Sequence, residues 1–194
     1  MNTTRHWLRG LAAVLVLSLL SACSDSGMGE RVLVARPPGG DFVLQSAAGL
    51  LDTRALRGKV LLIYFGYTHC PDVCPASLAA GGQAMNALSP AEQARVKMFM
   101  VSVDPERDTA AKLKEYAAYF HPAMVGAVGT PAETAAIAKS FGVGYVRQPT
   151  RPDGGYAVDH SSQTFVVGPD GKLMDLLPLG VPTDQVVAAM RKLL

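Results

Sequence analysis

Thiols and imidazoles are scarce in this chain, whose 194 residues include three cysteines and four histidines. An exported domain built from it has at most one disulfide available, and any metal site must draw on a short list of side chains. Neither charge sign dominates, the formal net charge being +2. The chain has no basic patch, like-charge run, internal repeat or low-complexity segment, which argues against nucleic-acid binding. The spacing C-x-x-C, usual in dedicated dithiol oxidoreductases, is also missing.

What is present begins with a leader. Arg5 and Arg9 precede the apolar stretch 11–20, and Leu20-Ser21-Ala22-Cys23 follows as a small-residue processing site. The stretch is too short for an ordinary membrane span of ~20 residues. The same four residues resemble the lipobox of bacterial lipoproteins, in which the cysteine is acylated and becomes the mature N-terminus. Simple cleavage and an uncleaved anchor are the alternatives. The expected organisation is a lipoprotein signal peptide at 1–22, a flexible membrane-tether linker at 23–38 and one domain at 39–194. Removing the signal takes away two arginines and no acid, so the mature protein is formally neutral.

Within the domain, 41–46 alternates weakly before the turn-like Ala48-Gly49, which suggests an N-terminal hairpin. Residues 60–65 form a continuous apolar run, suited to a strand buried on both faces. Residues 75–88 turn helical, with Gly81-Gly82 weakening the middle. Ser89-Pro90-Ala91-Glu92 and Thr130-Pro131-Ala132-Glu133 are capping boxes with a first-turn proline, so a helix should start at each. Further helices are expected at 109–120 and 183–193, and strands at 96–103, 124–128, 164–167 and 173–177. Gly168-Pro169-Asp170-Gly171 joins the last two strands as a hairpin. This order implies an α/β domain of thioredoxin-like layout, with a central, mostly parallel sheet flanked by helices and an N-terminal hairpin extension.

Cys70-Pro71-Asp72-Val73-Cys74 stands where the first buried strand hands over to a helix. Neither proline can donate a backbone hydrogen bond, so Cys70 belongs in the loop and Cys74 at the helix start, with Pro75 in the first turn. Free N–H groups and the helix dipole there favour thiolate, and a lowered thiol pKa is expected. Three uses of the pair remain open: a structural bridge, thiol redox chemistry, and soft-metal binding, for which the wider loop leaves room between the sulfurs.

A metal would need a third ligand. His69 adjoins Cys70, but neighbours on an extended chain point to opposite sides. His121 follows a helix and reads as an end-of-helix or surface residue. His160, in Val158-Asp159-His160-Ser161, enters a late strand that a thioredoxin-like layout packs beside the dithiol loop. Two thiolates and an imidazole suit Cu(I), permit Cu(II), and do not exclude zinc with an open position. Met85, Met98, Met100, Met124, Met174 and Met190 are scattered through helices and strands and read as core, not as a methionine-rich copper site.

Three blocks then carry a family resemblance. Residues 64–75, Tyr64-Phe65-Gly66-Tyr67-Thr68-His69-Cys70-Pro71-Asp72-Val73-Cys74-Pro75, resemble the copper-site signature of the Sco/SenC family. Ser102-Val103-Asp104-Pro105-Glu106-Arg107-Asp108-Thr109 resembles its second block, and Val158-Asp159-His160-Ser161 its histidine block. The resemblance implies a membrane-tethered, thioredoxin-like copper metallochaperone that helps assemble the CuA centre of cytochrome c oxidase. Cys70, Cys74 and His160 would be the copper ligands. A copper donor protein and the CuA subunit would be its partners, and the protein would be a monomer. Asp159 would orient the histidine loop or interact with the imidazole, the alternative being a solvated or capping carboxylate, and 104–109 would form a supporting turn and cap. Many family members keep a transmembrane helix, whereas here a lipid on Cys23 would hold the domain on the periplasmic side of a bacterial membrane.

The competing activity is a thiol-disulfide oxidoreductase that reduces the acceptor's cysteines, with Cys70 attacking and Cys74 resolving. Thioredoxin-like reductases commonly place a cis-proline before the strand facing the dithiol. Ser161-Ser162-Gln163-Thr164 supplies none, which favours metal. Residues 148–155, rich in proline, glycine and charge, are expected to form a mobile loop.

Overall fold

The structure, a computed structural model, describes residues 36–194. The leader, Cys23 and most of the expected linker lie outside those residues. Arg36–Leu194 forms one compact unit. Its first residues already engage it: the Arg36 guanidinium donates to the Met174 carbonyl, and Pro37 lies against Gly142.

Strand β3 (Val60–Gly66) is buried at all seven positions, as its unbroken apolar run requires. It pairs in parallel with β4 (Val96–Ser102), which pairs in parallel with β5 (Met124–Val128). On one side the hairpin β1 (Val43–Ser46) and β2 (Gly49–Asp52) adds antiparallel to β5. On the other, β8 (Thr164–Val167) and β9 (Leu173–Leu177) add antiparallel to β3, completing the order β2-β1-β5-β4-β3-β8-β9. The parallel pairing is thus confined to the centre. Both hairpins occupy margins, where a two-residue or short turn suffices and no crossover is needed.

Helix α1 (Val73–Asn86) packs against α3 (Ala110–Phe120) and α5 (Thr183–Arg191). Gly82 permits the α1–α3 approach, because a Cβ there would fall 2.5 Å from the Phe120 carbonyl oxygen. The opposite face of the sheet carries α4 (Pro131–Phe141), whose Phe141 ring meets Phe65 and Phe165 at 5.5 Å and Phe42 at 6.3 Å. Strand alternation then turns Tyr64 and Gly66, the neighbours of Phe65, toward α1. Both capping boxes form, at Ser89 and at Thr130. The first starts only the single-turn α2 (Pro90–Gln93), because Val96 must already enter β4. Of the six methionines read as core, five are buried and Met174 is 41% exposed.

A second, separate sheet was not anticipated. Tyr145–Arg147 (β6) and Val158–His160 (β7) form an antiparallel ribbon in which Tyr145 pairs with His160. The expected mobile loop is the tip of this ribbon. It is closed by main-chain bonds from Gln148 to Ala157 (2.9 Å) and from Arg151 to Gly155 (2.7 Å). Among the described residues no helix is long and apolar enough to cross a membrane.

Candidate metal centre

Cys70 sits in the loop after β3, its N–H donating to the Tyr67 carbonyl at 3.3 Å. Cys74 is the second residue of α1, and its N–H points at the Cys70 sulfur, 3.4 Å away. A helix N-terminus leaves such groups without intrahelical partners, so the first cysteine receives a backbone donor from the turn that carries the second. Both thiols are free and buried, Cys70 at 7% exposure and Cys74 at 0%.

That burial corrects the expectation of a lowered thiol pKa at Cys74. Desolvation pushes it up to about 12, the backbone at Tyr67 offsets only part of this, and the neighbouring Cys70 adds to the rise. The N-terminal position of the helix favours the thiolate, but removal from water disfavours it more. Packing is tight on this side: a Cβ at Gly66 would lie 2.7 Å from the Cys74 sulfur and 2.8 Å from Tyr64 Cε1. The Tyr64 hydroxyl is buried there, and removal from water raises its pKa well above the ordinary tyrosine value.

His160 arrives from the ribbon. Its Nδ1 lies 2.8 Å from the Ser161 carbonyl oxygen, which can only accept, so Nδ1 carries the proton. Nε2 therefore presents its lone pair, and it lies 3.3 Å from the Cys74 sulfur. A ring N–H held by a carbonyl is the usual way to fix the tautomer of a ligating imidazole. The rings of Tyr64 and Tyr67 stand nearly perpendicular to the imidazole, at centroid distances of 6.1 and 5.8 Å. The two sulfurs and one ring nitrogen all lie within 4.8 Å of one another.

The other sequence candidates fall elsewhere. The His69 side chain is about half exposed, and its Nδ1 is 3.1 Å from Thr68 Oγ1. His121 caps α3 but is buried, accepting the Ala123 N–H on Nδ1 at 3.1 Å. Asp159 faces away from the imidazole and accepts from Gln148 Nε2 at 2.6 Å, closing the ribbon. Asp72 precedes α1 without capping it through its side chain.

Residues 104–109 form the expected turn and cap. The Asp108 carboxylate, buried, accepts from Thr68 Oγ1 (2.5 Å), Thr68 N–H (3.2 Å) and Ser102 Oγ (2.6 Å). It thereby ties the dithiol loop to the end of β4. Sequence reasoning did not assign Tyr67, Arg107 or Tyr156. The Tyr67 hydroxyl accepts the Val158 N–H at 3.2 Å, and Arg107 stacks on Tyr156 with its guanidinium carbon 3.5 Å from the ring centre. Tyr67 and Arg107 stand inside recognised blocks, but Tyr156, after two glycines, carries no sequence signal.

The fold and the site define a class: thioredoxin-like domains with a Cys-Cys-His cluster at the strand–helix junction. The chain belongs to the SCO1/SenC family, whose model matches residues 33–194. Among curated relatives, the mitochondrial SCO2 homolog of Bos taurus is 36% identical over 156 residues, covering 79% of this chain and 58% of that protein. The chain spans 46–61% of the length of five such relatives. Among solved structures, Bradyrhizobium japonicum ScoI with copper bound has a TM-score of 0.74 and 36% identity, covering 81% of this chain and 99% of that one. BsSco, described with a disulfide switch and as a member of the Sco family of cytochrome c oxidase assembly proteins, has a TM-score of 0.63 and 28% identity, covering 81% and 93%.

Proposed function

We infer that this protein binds copper as cargo through Cys70 Sγ, Cys74 Sγ and His160 Nε2, and delivers it to the CuA centre of cytochrome c oxidase. The convergence of three ligating atoms within 4.8 Å of one another carries the reading. Two soft thiolates with one imidazole suit Cu(I) and Cu(II), and the copper-bound relative of the same fold supports copper as the metal. Each thiol must lose its proton to ligate, and only the reduced pair can do so. Because the cluster offers three ligands, a partner's thiol can enter and begin ligand exchange. Lipid on Cys23, exposing domain 39–194 on the periplasmic side of a bacterial membrane, would hold the carrier at the surface where the oxidase is assembled. The leader pattern supports that placement.

The test measures copper stoichiometry and affinity in the purified protein and in His160→Ala. One copper per chain, with Cu(II) binding sharply weakened in the variant and dithiol oxidation retained, supports the site. Equal binding in both proteins overturns it. Mixing the loaded protein with a metal-free CuA domain then tests delivery, read as appearance of the acceptor's copper absorption.

A second reading, dithiol reduction of an acceptor disulfide, is favoured by two adjacent free thiols and by the disulfide switch of BsSco. Cys70, the less buried, would attack one acceptor sulfur, and Cys74 would resolve the mixed disulfide. One disulfide forms, the acceptor's is reduced to two thiols, and two electrons pass between them. Equal acceptor reduction by metal-free wild type and His160→Ala would select this reading.

A further inference from the structure

The thiols and the imidazole are carried by different parts of the fold. Cys70 and Cys74 follow the buried central strand, whereas His160 ends a ribbon of two three-residue strands that does not pair with the larger sheet. A two-stranded hairpin is marginal in water when it stands alone, so the ladder of the ribbon cannot by itself hold the imidazole against the sulfurs.

The main chain runs from His160 through residues 161–163 into β8, which pairs with β3, and side chains add the further ties. Tyr67 touches both halves: its carbonyl accepts the Cys70 N–H at 3.3 Å, its hydroxyl accepts the Val158 N–H at 3.2 Å, and its ring stands at 90° to His160. Arg107 supports the same region from the β4–α3 turn. Its Nη1 donates to the Tyr156 carbonyl at 3.0 Å, and its Nε meets Asp104 at 2.5 Å. The guanidinium lies over the rings of both Tyr156 and Tyr67, 3.5 and 5.6 Å from their centres. Tyr156 in turn donates its hydroxyl to Asp104 at 2.8 Å, so the segment leading into β7 is held at main chain, ring and hydroxyl. The Arg107 Nη2 atom is buried without a hydrogen-bond partner. That arrangement places the guanidinium to suit the aromatic faces at the expense of one donor.

We propose that Tyr67 and Arg107 are positioning residues that fix the end of the ribbon, and with it His160, at the dithiol before any metal arrives, so that the three ligands form one preorganised site. The proposal rests on the Cys70–Cys74–His160 reading of the metal centre. Neither residue ligates. Each acts through the main chain of the segment that ends in the histidine, Tyr67 at Val158, two residues before it, and Arg107 at Tyr156, four before it; partners behind a metal ligand typically govern about 10–100-fold in affinity.

The experiment uses Tyr67→Phe, which keeps the ring and removes only the acceptor, with Arg107→Met and the conservative Arg107→Lys. Amide hydrogen exchange in the metal-free protein is the first readout. Val158 and Ser161 should exchange about tenfold faster in Tyr67→Phe and faster still in Arg107→Met, while β3 and β4 keep wild-type protection. Cu(II) affinity should fall about tenfold and up to about a hundredfold respectively, with a changed electron paramagnetic resonance spectrum. Arg107→Lys should not rescue, because lysine cannot reproduce the planar stack. Unchanged exchange at Val158 and Ser161, or an unchanged copper spectrum in both variants, overturns the proposal. Acceleration spread equally through β3 and β4 would show a merely structural role and overturn it too. Failure of the metal reading is separately visible as copper binding that His160→Ala leaves intact, since the exchange measurement contains no metal.

Discussion

His160 Nε2 lies 3.3 Å from the sulfur of Cys74, a residue 86 positions earlier in the chain. The contact joins a helix start to the end of a small ribbon, and its direction is fixed because the opposite ring nitrogen is held by the Ser161 carbonyl. His160→Ala should therefore cost little stability, about 1 kcal/mol or less, since the residue is only partly buried. Cys74→Ser should cost more, by placing a more strongly hydrated hydroxyl in a fully buried position. Urea unfolding of both metal-free variants checks the contrast, and the reverse order would contradict this account.

Gly66→Ala tests the close packing behind the second thiol. The added methyl would need to occupy space 2.7 Å from the sulfur and 2.8 Å from the Tyr64 ring. Overpacking of this kind costs about 1–3 kcal/mol. A lower thermal midpoint together with weaker copper binding is expected. Wild-type values for both would show that α1 shifts freely.

Asp108→Ala would leave the Thr68 N–H, the Thr68 hydroxyl and the Ser102 hydroxyl without their shared acceptor. A loss of about 3 kcal/mol is expected from urea midpoints, given that an unsatisfied buried group costs about 1–3 kcal/mol. A change below about 1 kcal/mol would mean that these donors find other partners.

His121 predicts a pH dependence. Burial lowers its pKa below the ordinary histidine value, and Nδ1 is already committed to accepting the Ala123 N–H. The unfolded chain takes up the proton first, near pH ~6.5. This contribution is therefore complete above that pH and lost as pH falls toward the folded pKa. Between pH 7.5 and 5 the wild type should lose more stability than His121→Asn. Parallel urea-midpoint profiles would remove His121 as the cause.

Much of this molecule was legible from residues 60–75, because an unbroken apolar run and a proline-flanked dithiol each have few structural solutions. The capping boxes at Ser89 and Thr130 fixed where helices begin, but not that the first ends after one turn. The ribbon escaped notice because its strands are three residues long, largely exposed and separated by a proline- and glycine-rich tip. Burial of Cys74, which reverses the expected pKa direction, depends on residues far along the chain and leaves no local trace. Tyr156 was invisible for the same reason: its neighbours in sequence say nothing of the guanidinium above its ring.

The ribbon's separation from the seven-stranded sheet has a practical side. It leaves the tip between Arg147 and Val158 as a separable insert, while the dithiol stays embedded in the permanent frame. Grafting an altered tip between Arg147 and Val158 should therefore leave the thiol geometry as it is, provided that Tyr156 travels with the graft.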